Sequence, residues 1–213
     1  MKLIHYLDSA FFAQEQLLAA AGINAPQLAA LQDSGAMPHP SYRLRVDIAC
    51  DSFFGPHSEQ ASVDYYAKGY ASWVGILQAL GDAGAAFGVF ARRYRARVTQ
   101  LADAGVVSRH PKLNAGLDAH LQDEWRHFLS GTYGLCTSTG LPEDIAAKEV
   151  AIAIIKAITE ERGERALTFA ERANLTRAVD LLDAAGAQFA PHETARSSRH
   201  RLVGQVRKTW RLD

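Results

Sequence analysis

Pro142-Glu-Asp-Ile-Ala-Ala-Lys-Glu-Val-Ala-Ile-Ala-Ile-Ile-Lys-Ala-Ile-Thr-Glu-Glu-Arg162 is the stretch on which the fold class turns. Ile145, Val150, Ile152, Ile154 and Ile155 load it with apolar side chains, the pattern of a helix covered by neighbours. It predicts a central core helix, and more helices are expected on either side. Downstream, Thr168-Phe-Ala-Glu171 matches a capping box and opens a helix to about Gly186. Residues 194–210 then carry Leu202, Val203, Val206 and Trp210 at helical spacing. Upstream, residues 114–129 make one helix, and residues 82–104 another through Phe87, Phe90, Tyr94, Val98 and Leu101. Residues 58–80 read as a third, with Val63, Tyr66, Tyr70, Trp73, Val74 and Leu77 along one side. Residues 131–140 read as a small, polar loop. The expected architecture is mainly α: a small N-terminal helix-turn-helix-like module, residues 1–47, followed by a multi-helix bundle, residues 48–213.

Within the first module, Leu3, Tyr6, Leu7, Ala10 and Phe11 recur at helical spacing, and residues 12–21 make a short helix stopped by Gly22. Asn24 can cap the next helix, with Pro26 in its first turn, where a missing N–H costs little. That helix runs through Leu28 and Leu31 to Ser34-Gly35. Tyr42-Arg-Leu-Arg-Val46 alternates and reads as a strand or wing. In the Ala21-Gly22-Ile23 turn, Leu28 and Gly35-Ala-Met-Pro38, the segment resembles the opening of MerR-type winged helix-turn-helix domains. The resemblance implies a DNA-binding transcriptional regulator. In that family an Arg and an aromatic follow the leucine that matches Leu28, but here Ala29 and Ala30 stand there, and residues 24–34 hold no Lys or Arg. Gln27 and Gln32 alone reach phosphates and base edges poorly, which favours a packing or protein-binding role. Arg43 and Arg45 on the wing keep the DNA alternative open.

The whole-chain charge points the same way. Lys and Arg number 23, as do Asp and Glu, and a protein that grips nucleic acid by charge usually carries a basic excess. At 48% hydrophobic and 22% charged residues, the chain can bury a core. Cys50 and Cys136 do not make a disulfide framework and read as reduced thiols. MKLIHYLDSAFF at the N-terminus carries Asp8 within its apolar stretch, unlike a secretory signal. No run approaches the roughly 20 apolar residues that span a bilayer. A cytoplasmic chain with no membrane partner is expected.

The strongest chemical signal is His120-Leu-Gln-Asp-Glu-Trp-Arg-His127. At ~100° per residue, His120, Glu124 and His127 fall within roughly 60° of one another on a helix, with Asp123 on the flank. Glu124-x-x-His127 has the spacing used by di-metal carboxylate bundles, and the three residues could hold a divalent first-row metal. A histidine beside a carboxylate is equally an acid–base couple that needs no cofactor, and a plain solvated helix face fits as well. A di-metal bundle needs a second such motif, which the chain lacks; further donors would come from His57, Glu59, Asp64, Cys136, or His192 with Glu193. Residues 131–140 follow directly, with three glycines, Tyr133, Cys136 and Thr137, and lead into a helix start able to hold an anion. The candidate ligand-binding set is His120, Asp123, Glu124, His127, Tyr133, Cys136 and Thr137, and the candidate metal set is His120, Glu124 and His127. Arg92-Arg-Tyr-Arg-Ala-Arg97 and the basic residues from Arg196 to Arg211 read as solvated faces.

From Tyr42 to Trp210 the chain resembles an uncharacterised bacterial family labelled natural-product biosynthesis proteins. The residues behind this are Ser41-Tyr-Arg-Leu-Arg45, Cys50-Asp-Ser-Phe-Phe-Gly55, Asp123-Glu-Trp-Arg-His-Phe128, Gly131-Thr-Tyr-Gly-Leu-Cys136 and Ser197-Ser-Arg-His-Arg-Leu202. The resemblance implies a setting in secondary metabolism and no particular reaction. No nucleotide, phosphate-loop or nucleophile-elbow motif supplies one. The expected function is an accessory or binding protein with a small-molecule or protein partner; a homo-oligomer is compatible with it. The alternatives are a MerR-like DNA-binding regulator and a metal-dependent enzyme using the His120, Glu124 and His127 face.

Overall fold

The computed structural model describes residues 2–160 and 166–212. It is mainly helical with a small three-stranded sheet. The core is organised around the expected central helix, Pro142–Glu160. Pro142 at the helix start sacrifices no hydrogen bond, and Glu143 and Asp144 in the first turn suit the positive end of the helix dipole. Asp144 also accepts hydrogen bonds from the Thr139 N–H (3.0 Å) and hydroxyl (2.7 Å), fixing the entry. Ile145, Val150, Ala151, Ile154 and Ile155 are buried. The expected end at Arg162 lies outside the described residues.

Two helices flank this one along its length, Ala86–Asp103 and Phe169–Ala185. The second opens on the expected capping box, with the Thr168 hydroxyl accepting from the Glu171 N–H. Leu117–Leu129 adds Leu121 and Phe128 to the core. Tyr70–Leu80 adds Trp73, whose ring centroid lies 5.1 Å from that of Phe128. Phe90 and Trp125 complete this aromatic cluster. Trp73 also donates its indole N–H to the Ala36 carbonyl (2.9 Å), tying in the N-terminal segment. In chain order the α-helices are α1 (Lys2–Ala10), α2 (Gln14–Ala21), α3 (Ala25–Asp33), α4 (Tyr70–Leu80), α5 (Ala86–Asp103), α6 (Leu117–Leu129), α7 (Thr132–Cys136), α8 (Pro142–Glu160), α9 (Phe169–Ala185) and α10 (Gln205–Trp210).

Strands β1 (Phe11–Ala13), β2 (Tyr42–Ser52) and β3 (Gly55–Ala67) pair antiparallel in the order β1-β3-β2. Three sequence expectations change here. Residues 58–67 are strand, and the helix expected over 58–80 begins only at Tyr70. Tyr65 faces Leu7 and Phe11 in a small second core, with Val63 packed at its edge. The apparent helical spacing of Val63, Tyr66 and Tyr70 therefore spans two different elements. Phe11–Ala13, expected to enter helices, pairs with the end of β3, so α2 starts at Gln14. The loop expected over 131–140 contains the single-turn helix α7.

Helices α2 and α3 carry the expected stops: Gly22 sits at φ 64°, and the Asn24 side chain accepts from the Gln27 N–H (2.9 Å). Residue 47, the boundary drawn between module and bundle, lies within β2. Leu17, Leu28 and Met37 share one core with Trp73, Phe90 and Val150. The outer half of the β2–β3 hairpin leaves this core altogether. Residues 47–54 and 56–62 are exposed, and Phe53 and Phe54 at the tip are 97% and 96% exposed.

Candidate functional site

Charged side chains are rarely buried without partners, because taking an ion out of water is expensive. Here α8 buries Lys148 and Glu149 at its middle, and α6 buries Glu124. These groups meet. Glu149 accepts from the Lys148 ammonium (3.0 Å) and from Lys112 (2.6 Å), which reaches over from the Pro111–Leu113 turn. Glu124 accepts a hydrogen bond from the Tyr133 hydroxyl on α7. On the next turn of α6, His120 Nδ1 lies 3.6 Å from Glu124 and His120 Nε2 lies 3.1 Å from the Tyr94 hydroxyl on α5. The Lys148 ammonium also stands 5.5 Å from the centre of the Tyr133 ring.

The two carboxylates titrate at opposite ends of the range. Burial, then the neighbouring Glu149 charge, pushes Glu124 up to about 7. Burial would raise Glu149 too, but Lys148 and Lys112 outweigh it and hold that carboxylate down to about 2. Burial, followed by Lys112, lowers His120, so its ring is neutral at pH 7. Lys148 is raised: Glu149 overcomes its burial. The cluster thus holds a fixed ion pair, Lys148–Glu149, beside a run of groups that can share protons, Tyr94, His120, Glu124 and Tyr133, in which Glu124 titrates near neutral pH.

Of the expected site residues, His120, Glu124 and Tyr133 converge. Asp123 and His127 are exposed; Asp123 pairs with Arg126, and the His127 ring lies 6.3 Å from that of Tyr133. Thr137 is buried with a local task, its hydroxyl donating to the Tyr133 carbonyl (2.6 Å) and accepting from the Gly140 N–H (3.0 Å). Cys136 is partly buried, and burial pushes its thiol up, away from the thiolate that would act as a nucleophile. His57 pairs with Glu59 on the hairpin, Asp64 with Arg43, and Glu193 accepts from the Tyr42 hydroxyl (2.6 Å). Tyr94, Lys112, Lys148 and Glu149 were not anticipated. The available signal was the Lys148-Glu149 pair inside an otherwise apolar helix.

Among the described residues, those able to offer ligand atoms to one metal ion are His120, Glu124 and Glu149, whose donor atoms lie within 4.8 Å of one another. Two lysines already answer the Glu149 charge, so a dication there would have to displace them. The residues present fit a metal-free cluster better. Glu124, Lys148 and Glu149 are each under 10% exposed, while His120 is partly buried.

A concave surface lies next to this cluster. Residues 105–111 wrap against α8 and α9 and leave a cleft of about 820 Å³. Its floor is Ala153, Ile154, Ala157 and Ile158, on the continuation of α8 beyond Glu149. Val106 and Val107 add apolar wall, and Arg109, His110, Asn174 and Arg177 supply the polar groups. Lys112, bonded to Glu149, anchors the end of the 105–111 segment, so cleft wall and buried cluster share a tether.

Residues 86–211 match a family of unknown function (DUF6058), and the chain belongs to that family. The matched segment includes Tyr94, Lys112, His120, Glu124, Tyr133, Lys148 and Glu149, together with the entire cleft lining. Comparison with curated proteins and with solved structures gives no match. Among the described residues, no helix is long and apolar enough to cross a membrane.

Proposed function

We propose that this chain is a small-molecule-binding protein, acting as an accessory factor in the cytoplasm of a bacterium with secondary metabolism, whose ligand sits in the cleft between residues 105–111, α8 and α9. The observation that carries the reading is the cleft: about 820 Å³, with an apolar floor and a few polar groups at its edge, in the size range typical of ligand sites. The closed, charge-compensated cluster beside it supports a structural tether over an open reaction centre. N-phenyl-1-naphthylamine, an uncharged probe that fluoresces in apolar surroundings, tests this. One saturable site is expected, lost in Ala157→Trp, which fills the cleft from its floor. Equal binding by wild type and Ala157→Trp, or none by wild type, defeats the reading.

A second reading, the MerR-like regulator, draws support from the element order. A helix, a short strand, two helices and a hairpin, with sheet order β1-β3-β2, is the order of a winged helix. Against it, the exposed positions of α3 are Ala25, Pro26, Gln27, Ala29, Ala30 and Asp33, with no cation to meet phosphate. Arg43 on the wing is bound to Asp64 (2.8 Å). A gel-shift screen at low salt against the gene's own upstream DNA separates the two, and a sequence-specific shift would favour the regulator.

A further inference from the structure

Within the cleft reading, which the following rests on, the charge of the lining selects a ligand class. Among the described residues, some arginines are answered by carboxylates, and others, Arg45 and Arg92 included, are not. Arg43, Arg93, Arg95, Arg126, Arg199 and Arg207 each sit on a carboxylate. Arg109, on the 105–111 segment, and Arg177, on α9 with its guanidinium near Gly105, both line the cleft, and neither has an ion-pair partner among the described residues. Among the described residues the cleft lining contains no Asp or Glu, although the chain carries as many acids as bases. Asn174 stands one turn before Arg177 on the same helix and adds an amide, and His110 adds an imidazole. Below these groups the surface turns apolar, through Ala153, Ile154, Ala157 and Ile158.

We infer that the cleft takes an amphipathic anion: a carboxylate or phosphate head between Arg109 and Arg177, and an apolar body along the floor supplied by α8. The two guanidiniums offer planar, forked donors that match the oxygens of such a head. Both residues are exposed. Burying the ligand's apolar body supplies affinity, while the head fixes which way round it lies. A cationic amphiphile of the same length meets two like charges and no counter-charge. A neutral one gains the floor and forgoes the head contacts.

The test uses the full chain at low salt and displaces bound N-phenyl-1-naphthylamine with decanoate, decyl phosphate, decanol or decyltrimethylammonium. At least one anion should compete about tenfold more tightly than decanol, the worth of one charge-assisted hydrogen bond, and the cation should compete most weakly. Which anion wins separates a carboxylate head from a phosphate head. Arg109→Gln with Arg177→Gln should bring the anions level with decanol, each referred to the variant's own probe affinity; an unchanged far-ultraviolet circular dichroism spectrum and Tm show that the variant is folded. Equal competition by decanol and both anions in wild type overturns the ligand class while leaving the cleft reading standing. An anion preference that survives the double substitution overturns the assignment of the head to these arginines. If the probe itself does not bind, the cleft reading falls and this inference with it.

Discussion

Replacing Glu124 with Gln should make the protein more stable at pH 8 than at present and change little at pH 5. In the folded chain burial raises Glu124 from 4.5 to about 7, so the folded state holds its proton more tightly than the unfolded chain does. The sign follows: the stabilisation is fully present below pH 4.5 and is lost as pH rises through about 7. At about 1.4 kcal/mol per pH unit, that interval corresponds to about 3 kcal/mol. Gln is a neutral isostere of the protonated acid and keeps an oxygen for the Tyr133 hydroxyl, so the variant lacks this pH dependence. For a chain of this size about 3 kcal/mol is a Tm difference of roughly 6–12 °C. Thermal unfolding of wild type and Glu124→Gln from pH 5 to pH 8 reads it directly, because every other titrating group is shared. The two curves should meet near pH 5 and diverge upward, with the variant higher. Parallel curves would mean that Glu124 is ionised and comfortable in the folded state, and the account of the cluster would be wrong.

Three further outcomes follow from the same geometry. Lys148→Met leaves Glu149 buried with Lys112 alone and should cost about 3 kcal/mol at pH 7, measured by urea unfolding; an unchanged midpoint would show that Lys112 suffices. Gly140→Ala puts a side chain at φ 77° with its Cβ 2.7 Å from Tyr70 and 2.9 Å from Ala67, and should cost about 2 kcal/mol or more, whereas wild-type stability would reveal room that the packing denies. Brief chymotrypsin treatment should cut at Phe53 or Phe54 before anywhere else, and Phe53→Ser with Phe54→Ser should leave Tm within about 1–2 °C of wild type, since neither ring touches the core.

The helices around the centre of the fold were legible because one local signal sufficed for each. The apolar run of α8 and the Thr168–Glu171 box of α9 need no distant partner to be recognised. The sheet was hidden for the opposite reason. Three residues of β1 carry no period of their own and exist as a strand only through Ala67 to Tyr65. Helical spacing on α6 correctly joined His120 to Glu124 but also enrolled His127, which the helix carries out into solvent. What turns that pair into a buried cluster comes from other elements: Tyr94 on α5, Lys112 on a turn and Glu149 on α8. The cleft was illegible because its floor and walls are remote in sequence, and each half alone is an ordinary amphipathic surface.

The exposed hairpin gives the molecule a handle. Strand β3 runs without interruption from the Phe53–Phe54 tip to Ala67, pairing with β1 only over its last three residues. Ala67 is wedged where a Cβ on Gly134 or Gly140 would stand 3.0 or 2.9 Å from it, and Gly134 directly follows Tyr133. One unbroken strand therefore joins the exposed tip to the place where the chain packs against the turn that presents the Tyr133 hydroxyl to Glu124.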